Sequence, residues 1–181
     1  MFRKARIRGR TRIFKVIIIG DGGVGKTSLR KRYMGEAFDG DYITTIGADF
    51  STKNINTDDG RKIIFQLWDV AGQERFKNTR KHFYGGANCA IFVFDISRLE
   101  TLENFEHWLN EVKDYLGKKI PLVILGNKYD LKDSVFISSY PEIIKYDWDE
   151  EQKTRILYTS AKTGENVEEA FNHLLSILLK E

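Results

Sequence analysis

Four short stretches hold residue types that do chemistry only at particular spacings. The first is Gly20-Asp21-Gly22-Gly23-Val24-Gly25-Lys26-Thr27, continued by Ser28. Its spacing is that of G-x-x-x-x-G-K-[ST], with an apolar strand pattern before it and a helix pattern after it. Glycines let backbone N–H groups turn inward around phosphate oxygens, and a helix N-terminus adds its dipole. Lys26 is then a point charge for the β- and γ-phosphates, and Thr27 a hydroxyl for Mg²⁺. The second stretch is Trp68-Asp69-Val70-Ala71-Gly72-Gln73-Glu74. An Asp at a strand end holds Mg²⁺ through water. Gly72 lets a backbone N–H approach the γ-phosphate, and Gln73 orients a water for in-line attack. A lone D-x-x-G is common by chance, but about fifty residues after a phosphate loop it is specific.

The third stretch, Asn127-Lys128-Tyr129-Asp130, reads a base. A carboxylate at Asp130 accepts from the N1–H and N2–H₂ of guanine. Adenine lacks that donor pair and would leave the charge unpaired. Asn127 is placed to brace this loop against the phosphate loop, and the Lys128 stem to cover the ring face. The fourth, Thr159-Ser160-Ala161-Lys162, offers a backbone N–H to guanine O6.

Residues with these roles need a scaffold that brings strand ends together. Phe14–Ile19 reads as a buried strand, and Lys26 to about Met34 as a helix. Residues 50–58 and 61–68 alternate around Asp58-Asp59-Gly60, a hairpin signal. Cys89–Asp95, Pro121–Gly126 and Arg155–Thr159 read as further strands, Leu102–Leu116 and Val167–Leu179 as amphipathic helices. The alternation predicts an α/β domain with a mostly parallel six-stranded sheet, one antiparallel edge strand and helices on both faces. Ligands then bind beyond the carboxyl ends of the strands, just after Ile19, Trp68, Phe94, Leu125 and Thr159.

The 181 residues fit one domain. No apolar run approaches the roughly 20 residues of a membrane-spanning helix, and no signal peptide is readable. A single cysteine, Cys89, forms no intrachain disulfide and suits a reducing compartment. The net charge of +3 conceals an asymmetry. Residues 1–15 carry seven Lys and Arg and no acid, which leaves 22 against 26 in the remainder. Two readings of this arm stand: a solvated terminus, or a contact with anionic lipid or nucleic acid. Phe2, Ile7, Ile13 and Phe14 between the charges favour lipid over nucleic acid.

At the four stretches the sequence resembles the Ras superfamily of small GTPases, from about Phe14 to Leu179. It is most similar to the Rab branch, through Ile46-Gly47-Ala48-Asp49-Phe50, Gln73-Glu74-Arg75-Phe76, Phe83-Tyr84-Gly85-Gly86-Ala87, Phe94-Asp95-Ile96-Ser97 and Asn104-Phe105-Glu106-His107-Trp108-Leu109. It departs from Rab usage at Phe83 and Gly85, where a Tyr and an Arg are usual, and at Val70, where Thr is usual. The resemblance implies a P-loop NTPase domain over residues 14–181 behind an arm at 1–13. It also implies a switch that binds GTP·Mg²⁺ and GDP, hydrolyses GTP slowly without an activating protein, and works in membrane trafficking or a related signalling process. Thr45 matches the threonine that binds Mg²⁺ and senses the γ-phosphate. Phe38 matches an aromatic packed on guanine, and Tyr42 a ring closing over the phosphates. Gly22 stands where a side chain would crowd an incoming arginine. Release of the γ-phosphate frees residues 38–48 and 70–80. Residues 38–50 and 70–84, with Phe50, Trp68 and Phe83, would meet effectors, exchange factors and activating proteins; plain core packing is the competing reading of those three aromatics. The chain ends at Glu181 without a lipidatable cysteine, and residue 2 is Phe. Either a lipidated tail has been cut away or no lipid anchor is used; in the second case any membrane contact is expected through residues 2–14 of a protein that is cytoplasmic or peripheral. Two other function classes remain open: a GTP-binding scaffold that does not cycle, and a nucleic-acid-associated GTPase resting only on the arm.

Overall fold

The computed structural model describes residues 11–38, 44–135, 143–144 and 154–180. The expectations for residues 1–10 and for Tyr42 fall outside them. Strands β1 (Arg12–Ile19), β2 (Ala48–Asn56), β3 (Lys62–Val70), β4 (Cys89–Asp95), β5 (Leu122–Asn127), β6 (Ile143–Ile144) and β7 (Thr154–Tyr158) form one sheet. Its order is β2-β3-β1-β4-β5-β7-β6. The helices are α1 (Lys26–Met34), α2 (Lys77–Arg80), α3 (Glu100–Glu103), α4 (Phe105–Leu116) and α5 (Val167–Leu178).

The mostly parallel six-stranded sheet is as expected, with β2 antiparallel to β3 at one edge. A seventh strand of two residues, β6, adds an antiparallel pairing at the other edge. The strand limits move because ladders run on through polar residues: Arg12 pairs with Ile63, and Ala48 and Asp49 pair with Val70 and Asp69. β1 therefore begins two residues inside the segment read as an arm. The helix expected over Leu102–Leu116 is two helices. Asn104, at φ −74° and ψ 2°, separates them and turns its amide to the phosphate loop, 2.7 Å from an Asp21 carboxylate oxygen.

β4, β5 and the Val16–Ile19 half of β1 are buried on both faces, and successive residues feed opposite cores. Val16, Ile18, Ile91 and Val93 face α1 and α5, where Tyr33 and Phe171 stack with centroids 3.7 Å apart. Ile17, Ile19, Phe92 and Phe94 face α4 through Phe105, Trp108, Leu109 and Val112. β1 lies between β3 and β4, so the chain passes from one side of it to the other and opens a crevice at its carboxyl end. Gly20 sits there because a Cβ would collide with the Val93 carbonyl, and its φ of +132° excludes an ordinary side chain. Around it gather the ends of β1, β3, β4, β5 and β7.

Candidate nucleotide site

The crevice holds a cavity of about 320 Å³, within the range of small-molecule sites. One end is lined by Gly22, Gly25, Lys26 and Thr27, and the other by Lys128 and Asp130. Gly23, Ser28, Phe38, Thr45, Gly72, Gln73, Asn127, Ala161 and Lys162 also line it. Of the sequence-predicted residues that are described, Gly20, Asp21, Val24, Asp69 and Ser160 do not. Gly20 and Asp21 offer their carbonyls to Lys26, Val24 offers its own to Asn127, and Ser160 holds Asp130.

At the phosphate end, α1 starts with no side-chain cap and no acid in its first turn. Its first N–H groups are left for an anion. Lys26 is buried, with Nζ donating to the Gly20 and Asp21 carbonyls at 2.7 Å each. Burial pushes its pKa down to about 8, against the opposing pull of Asp69 and Asp21. Gly72 closes over this lysine, and a Cβ there would strike Lys26 Nζ and the Asp21 carbonyl.

Beside it Thr27 Oγ1 donates to Asp69 Oδ2, and the Thr27 and Thr45 hydroxyls lie 3.1 Å apart. Asp69 is fully buried, burial raises its pKa, and its Oδ1 has no hydrogen-bond partner. A buried carboxylate with an orphaned oxygen and two hydroxyls alongside fits Mg²⁺, which takes one or two carboxylates and fills its shell with phosphate and water oxygens. Thr27, Thr45 and Asp69 are the residues that would hold it.

At the base end, Asn127 spans two loops. Its Nδ2 donates to the Val24 carbonyl at 2.9 Å, and its Oδ1 accepts from the Ala161 N–H at 3.1 Å. Ser160 Oγ donates to Asp130 Oδ1 at 2.6 Å, and Lys162 Nζ lies 3.8 Å from Oδ2. The carboxylate is thus aimed by β7's loop. Lys128 adopts a left-handed conformation, φ 68°, and its Nζ pairs with Asp95 at 2.7 Å.

Sequence reasoning missed the residues that hold this site from behind. Asp95 is buried and collects Lys128, Arg98 and Ser97. Burial would raise its pKa, but the hydrogen bonds from Lys128 and Ser97 outweigh that and keep it below the ordinary carboxylate value. Its place at a strand end, one residue past Phe94, was the available signal. Arg32 of α1 donates Nε to the Ala161 carbonyl at 2.8 Å and Nη2 to that of Lys162. One helix therefore positions both ends of the cavity. The Asp21 carboxylate faces away from it and accepts from Trp108 Nε1 and Asn104 Nδ2, at 2.7 Å each. Phe50, Trp68 and Phe83 form a chain of rings 4.9 and 5.9 Å apart, with Phe50 46% exposed and Ile46 78% exposed nearby. Phe50 is the exposed end of the row, and Trp68 and Phe83 are partly buried and pack against the core.

The family model described as Ras family matches residues 15–180, which takes in every element of the site. This chain belongs to the Ras family. Among curated relatives, this Ras-family chain is 41% identical over 174 residues to Ras-related protein Rab-7a of Dictyostelium discoideum, covering 93% of this chain and 83% of the relative. It is 39% identical over 176 residues to the Ypt/Rab-type GTPase YPT7 of Saccharomyces cerevisiae, with the same coverage. It is 40% identical over 169 residues to Ras-related protein Rab-13 of Canis lupus familiaris, covering 93% and 81%. No helix among the described residues is long and apolar enough to cross a membrane.

Proposed function

We infer that this Ras-family chain is a Rab-type GTPase switch of membrane trafficking, which binds GTP and GDP and hydrolyses GTP to GDP and phosphate. One observation carries the reading: a single cavity has Lys26 and Thr27 at one end and Asp130 at the other, with Thr45 and Gln73 on its rim. Relatives 41% and 39% identical in sequence that carry the name GTPase support it. Lys26 neutralises the β- and γ-phosphates, Asp130 selects guanine, and Gln73 orients the attacking water. Mg²⁺, when bound, supplies charge stabilisation for the transferred phosphoryl group. Thr45 and Gly72 follow the γ-phosphate, so its loss releases the loops that carry them. The ring cluster of Phe50, Trp68 and Phe83 lies between those loops and is the face for effectors.

Gln73→Leu tests the catalytic assignment. It removes water orientation and no phosphate contact, so single-turnover hydrolysis should fall by about tenfold or more while GTP affinity stays at the parental value. An unchanged rate would show that another group positions the water.

We further propose that residues 2–14 touch anionic membranes. Six Lys and Arg lie in residues 3–12, and each contributes about 1 kcal/mol near an anionic surface. That attraction is screened over about 10 Å at 0.1 M salt. The full chain should co-sediment with anionic vesicles at low salt and leave them as salt rises, and it should ignore neutral ones. Failure to bind anionic vesicles at low salt would make the arm a solvated terminus.

A further inference from the structure

Arg80 lies in a segment whose composition reads as a charged surface loop, Glu74 to His82, yet it is fully buried. A guanidinium leaves water only when its charge and its donors are matched. Glu111 of α4 matches it: Nε and Nη2 donate to the two carboxylate oxygens at 2.8 and 2.6 Å. Glu111 is itself buried and takes a third bond from the Tyr84 hydroxyl at 2.7 Å. The face of Trp108 lies 4.2 Å beneath the guanidinium carbon. Arg80 also donates Nη2 to exposed Glu74 at 3.3 Å. Its Nη1 donates to the main-chain carbonyl of Gln73 at 3.1 Å.

That last bond makes the arrangement bear on hydrolysis. The Gln73 carbonyl accepts from two donors, Arg80 Nη1 and the Phe76 N–H at 3.0 Å, so the peptide following Gln73 is held in one orientation. The ring under Arg80 leads back to the phosphates, because Trp108 Nε1 donates to Asp21 of the phosphate loop. An unbroken chain of contacts runs from Asp21 through Trp108 and Arg80 to Gln73. We propose that Arg80 is a positioning residue for GTP hydrolysis: α4, through the buried Arg80–Glu111 pair, sets where Gln73 stands relative to the phosphate loop. The proposal rests on Gln73 being the residue that orients water. A lysine keeps the charge opposite Glu111 but has no planar fork to reach the Gln73 carbonyl at the same time. Arginine is therefore required for the positioning and not for the ion pair.

The test is a cycle of four full-length proteins: parent, Arg80→Lys, Gln73→Leu and the double variant. Each is assayed for single-turnover GTP hydrolysis, GTP and GDP affinity, and thermal unfolding. Arg80→Lys should lower the hydrolysis rate constant by about tenfold, as misplacement of a reacting group by a fraction of an ångström does, with both affinities within about twofold of the parent. Added to Gln73→Leu it should cost nothing more, since both act through one group. A single-turnover rate constant does not depend on how much of the sample is folded, so a less stable variant still reports; if lysine lowers stability sharply, Arg80→Gln combined with Glu111→Gln, which leaves no buried charge unmatched, serves instead. Parental hydrolysis by Arg80→Lys, or full multiplication of the two losses in the double variant, overturns the proposal while leaving Gln73 in its role. No loss from Gln73→Leu alone removes that role and the proposal with it.

Discussion

Asp130→Asn is expected to lower GTP affinity by about a hundredfold or more and to turn the site toward xanthine nucleotides. Asp130 sits at the base end of the cavity with a side chain only 15% exposed. An ionised carboxylate there accepts both the N1–H and the N2–H₂ of guanine. Hydrogen bonds to a charged group contribute roughly 1.5–3 kcal/mol each, and each 1.4 kcal/mol is tenfold in affinity. Asparagine retains one acceptor and sets an N–H₂ against the guanine amino group, donor against donor. Xanthine presents an acceptor at that position, which the new amide satisfies. The scaffold should tolerate the change, because the retained oxygen still accepts from Ser160 Oγ, now at 2.6 Å. Equilibrium binding of GTP and XTP to both proteins measures the switch. GTP binding as tight in the variant as in the parent would show that Asp130 does not read the base.

The parts of the site that were legible in the sequence share one property: their partners are local or motif-bound. Lys26 and Thr27 follow the end of β1 by a loop of motif length, Gly72 and Asp130 follow the ends of β3 and β5 closely, and the sheet brings those ends together. The residues that were not legible depend on encounters between distant elements. Asp21 reads as a phosphate-loop side chain, but its two oxygens are taken by Asn104 and Trp108, 83 and 87 positions away. Trp108 reads as one more apolar residue on the stripe of a helix, and its indole N–H carries no periodic signal. Arg80 is the plainest case. In a segment with Arg75, Lys77, Lys81 and His82 one more arginine reads as solvated, and only the approach of Glu111, 31 positions on, makes its burial affordable.

The boundaries of the elements failed for a related reason. Apolar periodicity marks where side chains enter a core, whereas a strand ends where its ladder ends. β1 and β2 both extend through Arg12 and Asp49, which contribute backbone pairing and no apolar surface. The break at Asn104 is invisible to periodicity, since the apolar stripe runs straight across it and only the bond to Asp21 distinguishes the position. The aromatics Phe50, Trp68 and Phe83 are ambiguous in the sequence because a ring near a sheet edge packs or docks equally well. The structure divides them: Phe50 is nearly half exposed at the edge strand, whereas Trp68 and Phe83 are partly buried against the core.

Lys26 should make nucleotide binding and folding respond to pH in opposite directions. In the nucleotide-free protein burial holds its pKa at about 8, below the ordinary 10.5 of an unfolded chain. Below pH 8 both states carry the proton and this group adds no slope to stability. Between about pH 8 and 10.5 the unfolded chain binds more protons than the folded one, so the stability of the empty protein rises with pH through this group. A bound triphosphate reverses the balance, because its charge restores the ammonium. Binding should then take up about half a proton at pH 8 and almost none a unit and a half lower. Affinity should fall as pH rises past 8. Calorimetric titration of GTP in buffers of different ionisation enthalpy reads the uptake directly. In Lys26→Met the uptake and both slopes should vanish, and GTP affinity should drop by about a hundredfold or more, the loss of charge-assisted bonds of roughly 1.5–3 kcal/mol each. Equal proton uptake by parent and Lys26→Met would assign the titration to another group and leave the lysine charged throughout.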